Sequence, residues 1–121
     1  MIRWISGDSR SGKTHLATAI QRTYPNVIVL DGWALRGVWT DLGWERADRW
    51  KHNMMLGRLA KVLERQGYEV VVTSVAPYPE LREELKKEFG CEFTLMGEQT
   101  EDEPYEKPTP SQVDKILEGL P

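Results

Sequence analysis

One octapeptide near the start of the chain constrains it more than anything else. Gly7-Asp8-Ser9-Arg10-Ser11-Gly12-Lys13-Thr14 follows a short apolar run, Ile2 to Ser6, and precedes a stretch of helical composition, His15 to Ile20. The pattern is G-x-x-x-x-G-K-[ST], a phosphate-cradling loop in its strand–turn–helix setting. Gly7 and Gly12 permit backbone angles that turn amide N–H groups inward. The helix that begins near Lys13 adds the positive end of its dipole. Lys13 brings a point charge to the β- and γ-phosphates, and the Thr14 hydroxyl is a ligand for the magnesium that bridges them. Residues 7–14 therefore predict a site for a nucleoside triphosphate and Mg2+, with Thr14 as the metal ligand. They leave the acceptor open: water, an alcohol, a phosphate or a moving partner.

The rest of the chain alternates strand and helix. Leu16, Ala19 and Ile20 keep helical spacing, and Tyr24-Pro25-Asn26 stops that helix. Val27 to Leu30 reads as a strand buried on both faces and ends at Asp31-Gly32. A Trp-rich connection leads to a long helix from about Glu45 to Gln66. Its apolar residues Trp50, Met54, Met55, Leu59, Val62 and Leu63 recur at helical spacing, and Gly67 is a natural stop. Val70 to Thr73 is a second buried-type strand. Pro77 and Pro79 precede a charged helix, Glu80 to Glu88, and Cys91 to Met96 is a weaker strand. Gly97 to Pro110 is an acidic, proline-rich loop, and Ser111 caps a short final helix, Gln112 to Leu117. The expected class is α/β, a P-loop three-layer sandwich around a parallel sheet of four to five strands. Ile2–Ser6 is expected inside that sheet, flanked by Val27–Leu30 and Val70–Thr73. Ligands of such sheets bind beyond the carboxyl ends of the strands, where Asp31, Thr73 to Pro77 and the glycine-rich turn all lie.

Composition bounds the rest. The 121 residues fit a single domain spanning 1–121. A net charge of −3 argues against a nucleic-acid partner while allowing a local basic pocket. The single cysteine, Cys91, excludes a disulfide framework and fits a reducing compartment. No apolar run approaches the roughly 20 residues of a membrane span, and Met1 to Ser6 is too short and too soon polar for a signal peptide. A cytoplasmic protein with no membrane partner is expected. Four of the five tryptophans, Trp33, Trp39, Trp44 and Trp50, crowd into the middle connection.

A run of short matches in one order resembles the adenylylsulfate (APS) kinase family. Leu30-Asp31-Gly32-Trp33-Ala34-Leu35-Arg36 is similar to the family's L-D-G-D-x-x-R, and Asp41-Leu42-Gly43-Trp44 to its D-L-G-F. Asp48-Arg49 falls on the D-R that opens the next helix, and Gly57 to Leu63 aligns along that helix without gaps. Val70 to Tyr78 resembles V-I-V-S-x-I-S-P-Y, and Asp102-Glu103-Pro104-Tyr105-Glu106-Lys107-Pro108 resembles D-x-P-Y-E-x-P. The resemblance implies transfer of the γ-phosphoryl of ATP to the 3′-hydroxyl of adenylylsulfate, with magnesium. It implies that Asp31 faces the acceptor hydroxyl and the metal shell, that Arg36 and Arg49 clamp the acceptor's anionic group, and that Trp44 stacks on its base.

The departures fall on the acceptor side. Trp33 replaces the second acid of D-G-D. His52 stands where the family has Asn, and Met54 and Met55 where it has two arginines. Ala76 replaces a Ser, and Asp8 and Arg10 replace a Leu and a Gly within the cradle. The basic lid is reduced to Gly97 to Glu101. The family's aromatic-threonine pair, which lines the ATP base, aligns with Glu98-Gln99, and Phe93-Thr94 fills that role only through a register shift.

These readings give Lys13 and Asp31 as catalytic residues, and Gly7, Asp8, Ser9, Arg10, Ser11, Gly12, Lys13 and Thr14 as the nucleotide cradle. Arg36, Trp44, Arg49 and His52 form the acceptor side. Asp31 could alternatively be only a helix cap, Arg36 and Arg49 solvated surface charges, and His52 a structural histidine. Trp50 reads as core, Trp39 is undecided, and Trp33 is expected to fill the space left by the missing acid and lid. His15 reads as helix surface and Cys91 as core. The expected partner is a small-molecule nucleotide, with a homo-oligomer able to supply a charge in trans. Three functions compete: an APS-kinase-type phosphotransferase, a kinase for a nucleoside or modified nucleobase, and a nucleotide-binding module without transfer activity.

Overall fold

The computed structural model describes residues 1–8, 11–39 and 41–101. In chain order the elements are β1 (Ile2–Ser6), α1 (Lys13–Thr23), β2 (Val27–Asp31), α2 (Gly32–Leu35), α3 (Arg46–Arg65), β3 (Glu69–Ser74), α4 (Pro79–Phe89) and β4 (Glu92–Leu95). The D-x-P-Y-E-x-P segment, most of the acidic loop and the final helix expected over Gln112 to Leu117 lie outside the described residues, as do Ser9 and Arg10.

All described strands run parallel, in the order β2-β3-β1-β4. The strand periods explain the layers. On one face Ile5 and Val71 pack with Ala17 of α1. On the other, Ile2, Trp4, Val70 and Val72 pack with Leu56 and Ala60 of α3 and Leu81, Leu85 and Phe89 of α4. The result is the expected three-layer α/β sandwich, because a parallel sheet must be covered on both faces.

Two expectations are corrected. β1 is interior, but its neighbours are β3 and β4; β2 lies beyond β3. That makes β2 an edge strand, so Val27, Ile28 and Val29 are half-buried, and only Leu30 and Asp31 are enclosed. The buried face of α3 also differs from the apolar list. Met54 is buried and Trp50, Leu59 and Leu63 pack on the core as the spacing implies, but the buried face also runs through His52, Asn53, Leu56, Gly57 and Ala60, while Val62 is 49% exposed. Small and polar residues hold that face because the helix comes close: a Cβ added at Gly57 would run into the Phe89 ring. Asn53 is fully buried and links α3 to the end of β3. Its amide donates to the Arg49 and Val75 carbonyls, and its oxygen accepts from the Ser74 hydroxyl at 2.6 Å.

The short helix α2 was not expected. Asp31 caps it, accepting from the Trp33 amide at 2.9 Å. Pro79 opens α4 as its first residue instead of standing before it. Among the described residues no helix is long and apolar enough to cross a membrane.

Candidate active site

The carboxyl ends of β1, β2 and β3 meet at one edge. From β1 the chain passes through Gly7 and returns into α1 at Gly12, whose φ of +85° suits glycine. Gly7 has no room for a side chain, since an added Cβ would collide with the Met96 carbonyl. The loop is also tied to the segment after β4. The Asp8 amide donates to the Glu98 carbonyl at 3.1 Å, and the Met96 amide to the Ser6 carbonyl at 2.8 Å. Gln99 completes this strap, its amide donating to the Ser6 carbonyl at 2.9 Å and its oxygen lying 2.8 Å from the Ser6 hydroxyl.

Lys13 and Thr14 form the first turn of α1. The Lys13 ammonium reaches back to the Asp8 carbonyl at 2.8 Å, so the loop curls around its own lysine. Thr14 Oγ1 donates to Asp31 Oδ2 at 3.4 Å. Asp31 is only 5% exposed. Burial pushes its carboxyl above the ordinary carboxylate range; the Trp33 and Ala34 amides, Lys13 and Thr14 pull the other way. Asp31 thus caps α2 with one oxygen and meets Thr14 at the start of α1 with the other.

The connection after α2 folds over this edge. The Arg36 guanidinium lies 3.8 Å from the centre of the Trp44 ring, and its Nη1 donates to the Gly43 carbonyl at 2.8 Å. Arg49 Nε donates to the Trp44 carbonyl at 3.0 Å, and Nη1 to the Glu101 carbonyl at 3.2 Å and the Tyr78 hydroxyl at 3.4 Å. Trp33 sits 6.5 Å from Trp44, ring to ring. The structure thus brings Arg36, Trp44 and Arg49 together and sets Trp33 beside them.

His52 is not brought to that cluster's open side. It is buried, and its Nδ1 accepts from the Trp39 indole N–H at 2.8 Å. Desolvation, aided by the Arg36 charge and opposed by a bond with the Gly32 backbone, lowers its pKa to about 3. Trp39, undecided in the sequence, is the other half of this pair and packs on the core. Trp50 also packs on the core, with its indole N–H on Glu84 at 3.0 Å. Phe93 stacks on Trp4 at 5.6 Å within the sheet, away from the strand ends. Cys91 is buried, and its thiol is pushed up to about 11 by desolvation.

Three residues at this edge were given no role of their own by the sequence reading. Tyr78 reaches Arg49, Gln99 anchors the loop, and Thr73 stands beside Asp31 in the β2–β3 register. Each carried a positional signal only: Tyr78 as the end of a family motif, Thr73 as the first residue of the segment expected at the ligand edge, and Gln99 by alignment with the pair that lines the ATP base in the family.

A parallel sheet in this strand order, with the phosphate loop after β1 leading into α1 whose Thr14 meets an acid at the end of β2, is the fold of the P-loop kinases. The comparisons narrow this. The family profile described as adenylylsulphate kinase matches residues 1–102. A probable adenylyl-sulfate kinase of Archaeoglobus fulgidus is 37% identical over 91 residues, covering 71% of this chain and 59% of that protein. The adenylyl-sulfate kinase of a Synechococcus strain is 36% identical over 92 residues, covering 72% and 52%. The solved structure of an APS kinase from Mycobacterium tuberculosis superposes with a TM-score of 0.68 at 28% identity, covering 98% of this chain and 94% of that one. The chain belongs to the adenylylsulphate kinase family. It spans about half the length of the curated relatives it matches.

Proposed function

We propose that the chain is an ATP-dependent phosphotransferase that moves the γ-phosphoryl group to a hydroxyl of adenylylsulfate or a related nucleotide-like acceptor. The observation that carries this reading is the Thr14–Asp31 contact at 3.4 Å beside Lys13. Two hard oxygens at the head of the phosphate loop suit magnesium, which keeps several waters and takes one or two protein ligands plus phosphates. No group of three or more His, Cys, Asp or Glu is needed, and the described residues hold none. Thr14 would hold the metal directly and Asp31 through water; when bound, magnesium supplies charge neutralisation on the β- and γ-phosphates.

The chain's own residues do the rest. The cradle amides and Lys13 bind the phosphates, Lys13 exchanging the Asp8 carbonyl for phosphate oxygens. Asp31, with its raised pKa, orients the acceptor hydroxyl and accepts its proton. Arg36 and Arg49 offer planar donors to the acceptor's anion. His52, neutral and bonded to Trp39, positions the wall behind them and takes no proton.

The test is Lys13→Ala, assayed by calorimetry with a non-hydrolysable ATP analogue and by ADP release with whichever acceptor, adenylylsulfate or a related nucleotide-like hydroxyl compound, the wild type turns over. Loss of turnover and at least tenfold weaker nucleotide binding are expected, because a charge-assisted contact is removed. Wild-type affinity and turnover in the variant would defeat the proposal. A second reading, a kinase for a nucleoside or modified nucleobase, is favoured by Trp33 in place of the second acid and by the Arg36 guanidinium on the Trp44 ring. Turnover with such an acceptor but none with adenylylsulfate would select it. Stabilisation by nucleotide with no acceptor turned over would leave a binding module.

A further inference from the structure

Among the described residues three buried side-chain polar atoms have no hydrogen-bond partner: Ser11 Oγ, Trp33 Nε1 and Thr73 Oγ1. Buried polar groups are nearly always paired, so each exception asks for a reason. All three lie on segments at the carboxyl end of the sheet. Ser11 is in the phosphate loop, Trp33 follows Asp31 directly, and Thr73 is opposite Asp31 in the sheet register.

Thr73 is the most constrained of them. It is 1% exposed, near the carboxyl end of β3. Its register partners are Asp31 on β2 and Ile5 on β1. Alternation along β3 puts Val70 and Val72 against α3 and α4, and Val71 against α1. Thr73 therefore stands on the α1 face. Asp31 stands on that same face, since its Oδ2 meets Thr14 of α1. Neighbouring strands lie about 4.8 Å apart, so Thr73 and Asp31 are adjacent on the face that α1 covers. A valine would extend the Val70–Val72 run at the same volume without an unpaired hydroxyl.

We infer that Thr73 is a further positioning residue of the nucleotide–magnesium site, its hydroxyl accepting from a water of the metal shell that Asp31 also holds. This rests on the reading of Thr14 and Asp31 given above. Thr73 touches the metal only through that water. The missing hydrogen-bond partner is supplied when the nucleotide complex is bound.

The test compares wild type, Thr73→Val and Thr73→Ser, titrated with a non-hydrolysable ATP analogue in EDTA and in graded Mg2+ by calorimetry, with melting curves of the unliganded proteins. For Thr73→Val the Mg2+ concentration that half-tightens nucleotide binding should rise about tenfold, the value of one hydrogen bond at roughly 1.4 kcal/mol. Its affinity in EDTA should be unchanged, and its unliganded Tm should equal or exceed the wild type's. Thr73→Ser should follow wild type. An unchanged Mg2+ dependence in Thr73→Val, a Thr73→Ser protein as impaired as the valine one, or a Thr73→Val protein that melts well below wild type overturns the inference while leaving the nucleotide site standing. Failure of the wild type to bind the analogue at all overturns both.

Discussion

A histidine whose nitrogen already accepts from an indole cannot take a proton there without losing the bond. That is the situation of His52, with Trp39 on Nδ1 and Arg36 adding a like charge nearby. The unfolded chain protonates this residue near 6.5, whereas burial holds the folded form to about 3. Protons are therefore taken up on unfolding between those values, and His52 makes the fold lose stability as pH falls through that window. Between pH 7 and pH 5 the loss should be about 2 kcal/mol, at 1.36 kcal/mol per unit of pKa difference. Urea melts at the two pH values should show it in wild type and lose most of it in His52→Gln, which retains an acceptor but does not titrate. Equal pH slopes in the two proteins would show that His52 is not held neutral. Sequence alone put His52 on the acceptor side and left Trp39 undecided for one reason. The bond that assigns both joins α3 to the preceding connection, and no local period encodes it.

At the scale of elements, much was legible. The phosphate loop dictated β1 and α1, and the β-branched runs dictated β2 and β3, because a strand buried in a parallel sheet shows an unbroken apolar run. Strand order was not legible, since Val27–Leu30 and Val70–Thr73 look alike and only long-range pairing makes one the edge. The strap from Met96 to Gln99 was hidden for the same reason, its partners Ser6 and Asp8 being far away in sequence. The buried face of α3 misled in another way. Apolarity found Met54, Leu59 and Leu63 but also pointed to Val62, whereas close approach to α4 selected Gly57. Gly57→Ala tests this. Helix propensity favours alanine by about 1 kcal/mol in an open helix. Here the new methyl meets the ring of Phe89, itself buried, and overpacking costs about 1–3 kcal/mol. The expected outcome is a Tm lower by several degrees with nucleotide affinity unchanged, since Gly57 packs against α4 rather than the phosphate loop. A variant that melts at or above wild type would mean the helices separate easily there.

For the whole molecule the question is what the cleft as a unit can still hold. On the phosphate side Gly7, Gly12, Lys13, Thr14 and Asp31 are all present, Thr14 and Asp31 in contact at the head of α1. The acceptor side is thinner than the resemblance implies. Arg36, Arg49 and Trp44 remain and meet. Trp33 occupies the place of an acid, Met54 is buried and Met55 half-buried where two arginines are expected, and His52 is committed to Trp39. Moreover, Arg36 and Arg49 are engaged with the carbonyls of Gly43, Trp44 and Glu101, contacts that an anionic acceptor must replace. Each charged contact to a bound anion is worth about 1.5–3 kcal/mol, roughly ten- to a hundredfold in affinity. Two absent arginines and one absent acid therefore outweigh what a larger stacking ring at Trp44 can return, about 1–3 kcal/mol. We expect ATP–magnesium to bind with ordinary strength and adenylylsulfate to be phosphorylated weakly or not detectably. Steady-state kinetics with adenylylsulfate, set beside calorimetry with the ATP analogue, separates the two halves of the cleft. A kcat/KM for adenylylsulfate typical of a dedicated kinase would mean that other residues restore the lost contacts, and the divergent acceptor would be abandoned.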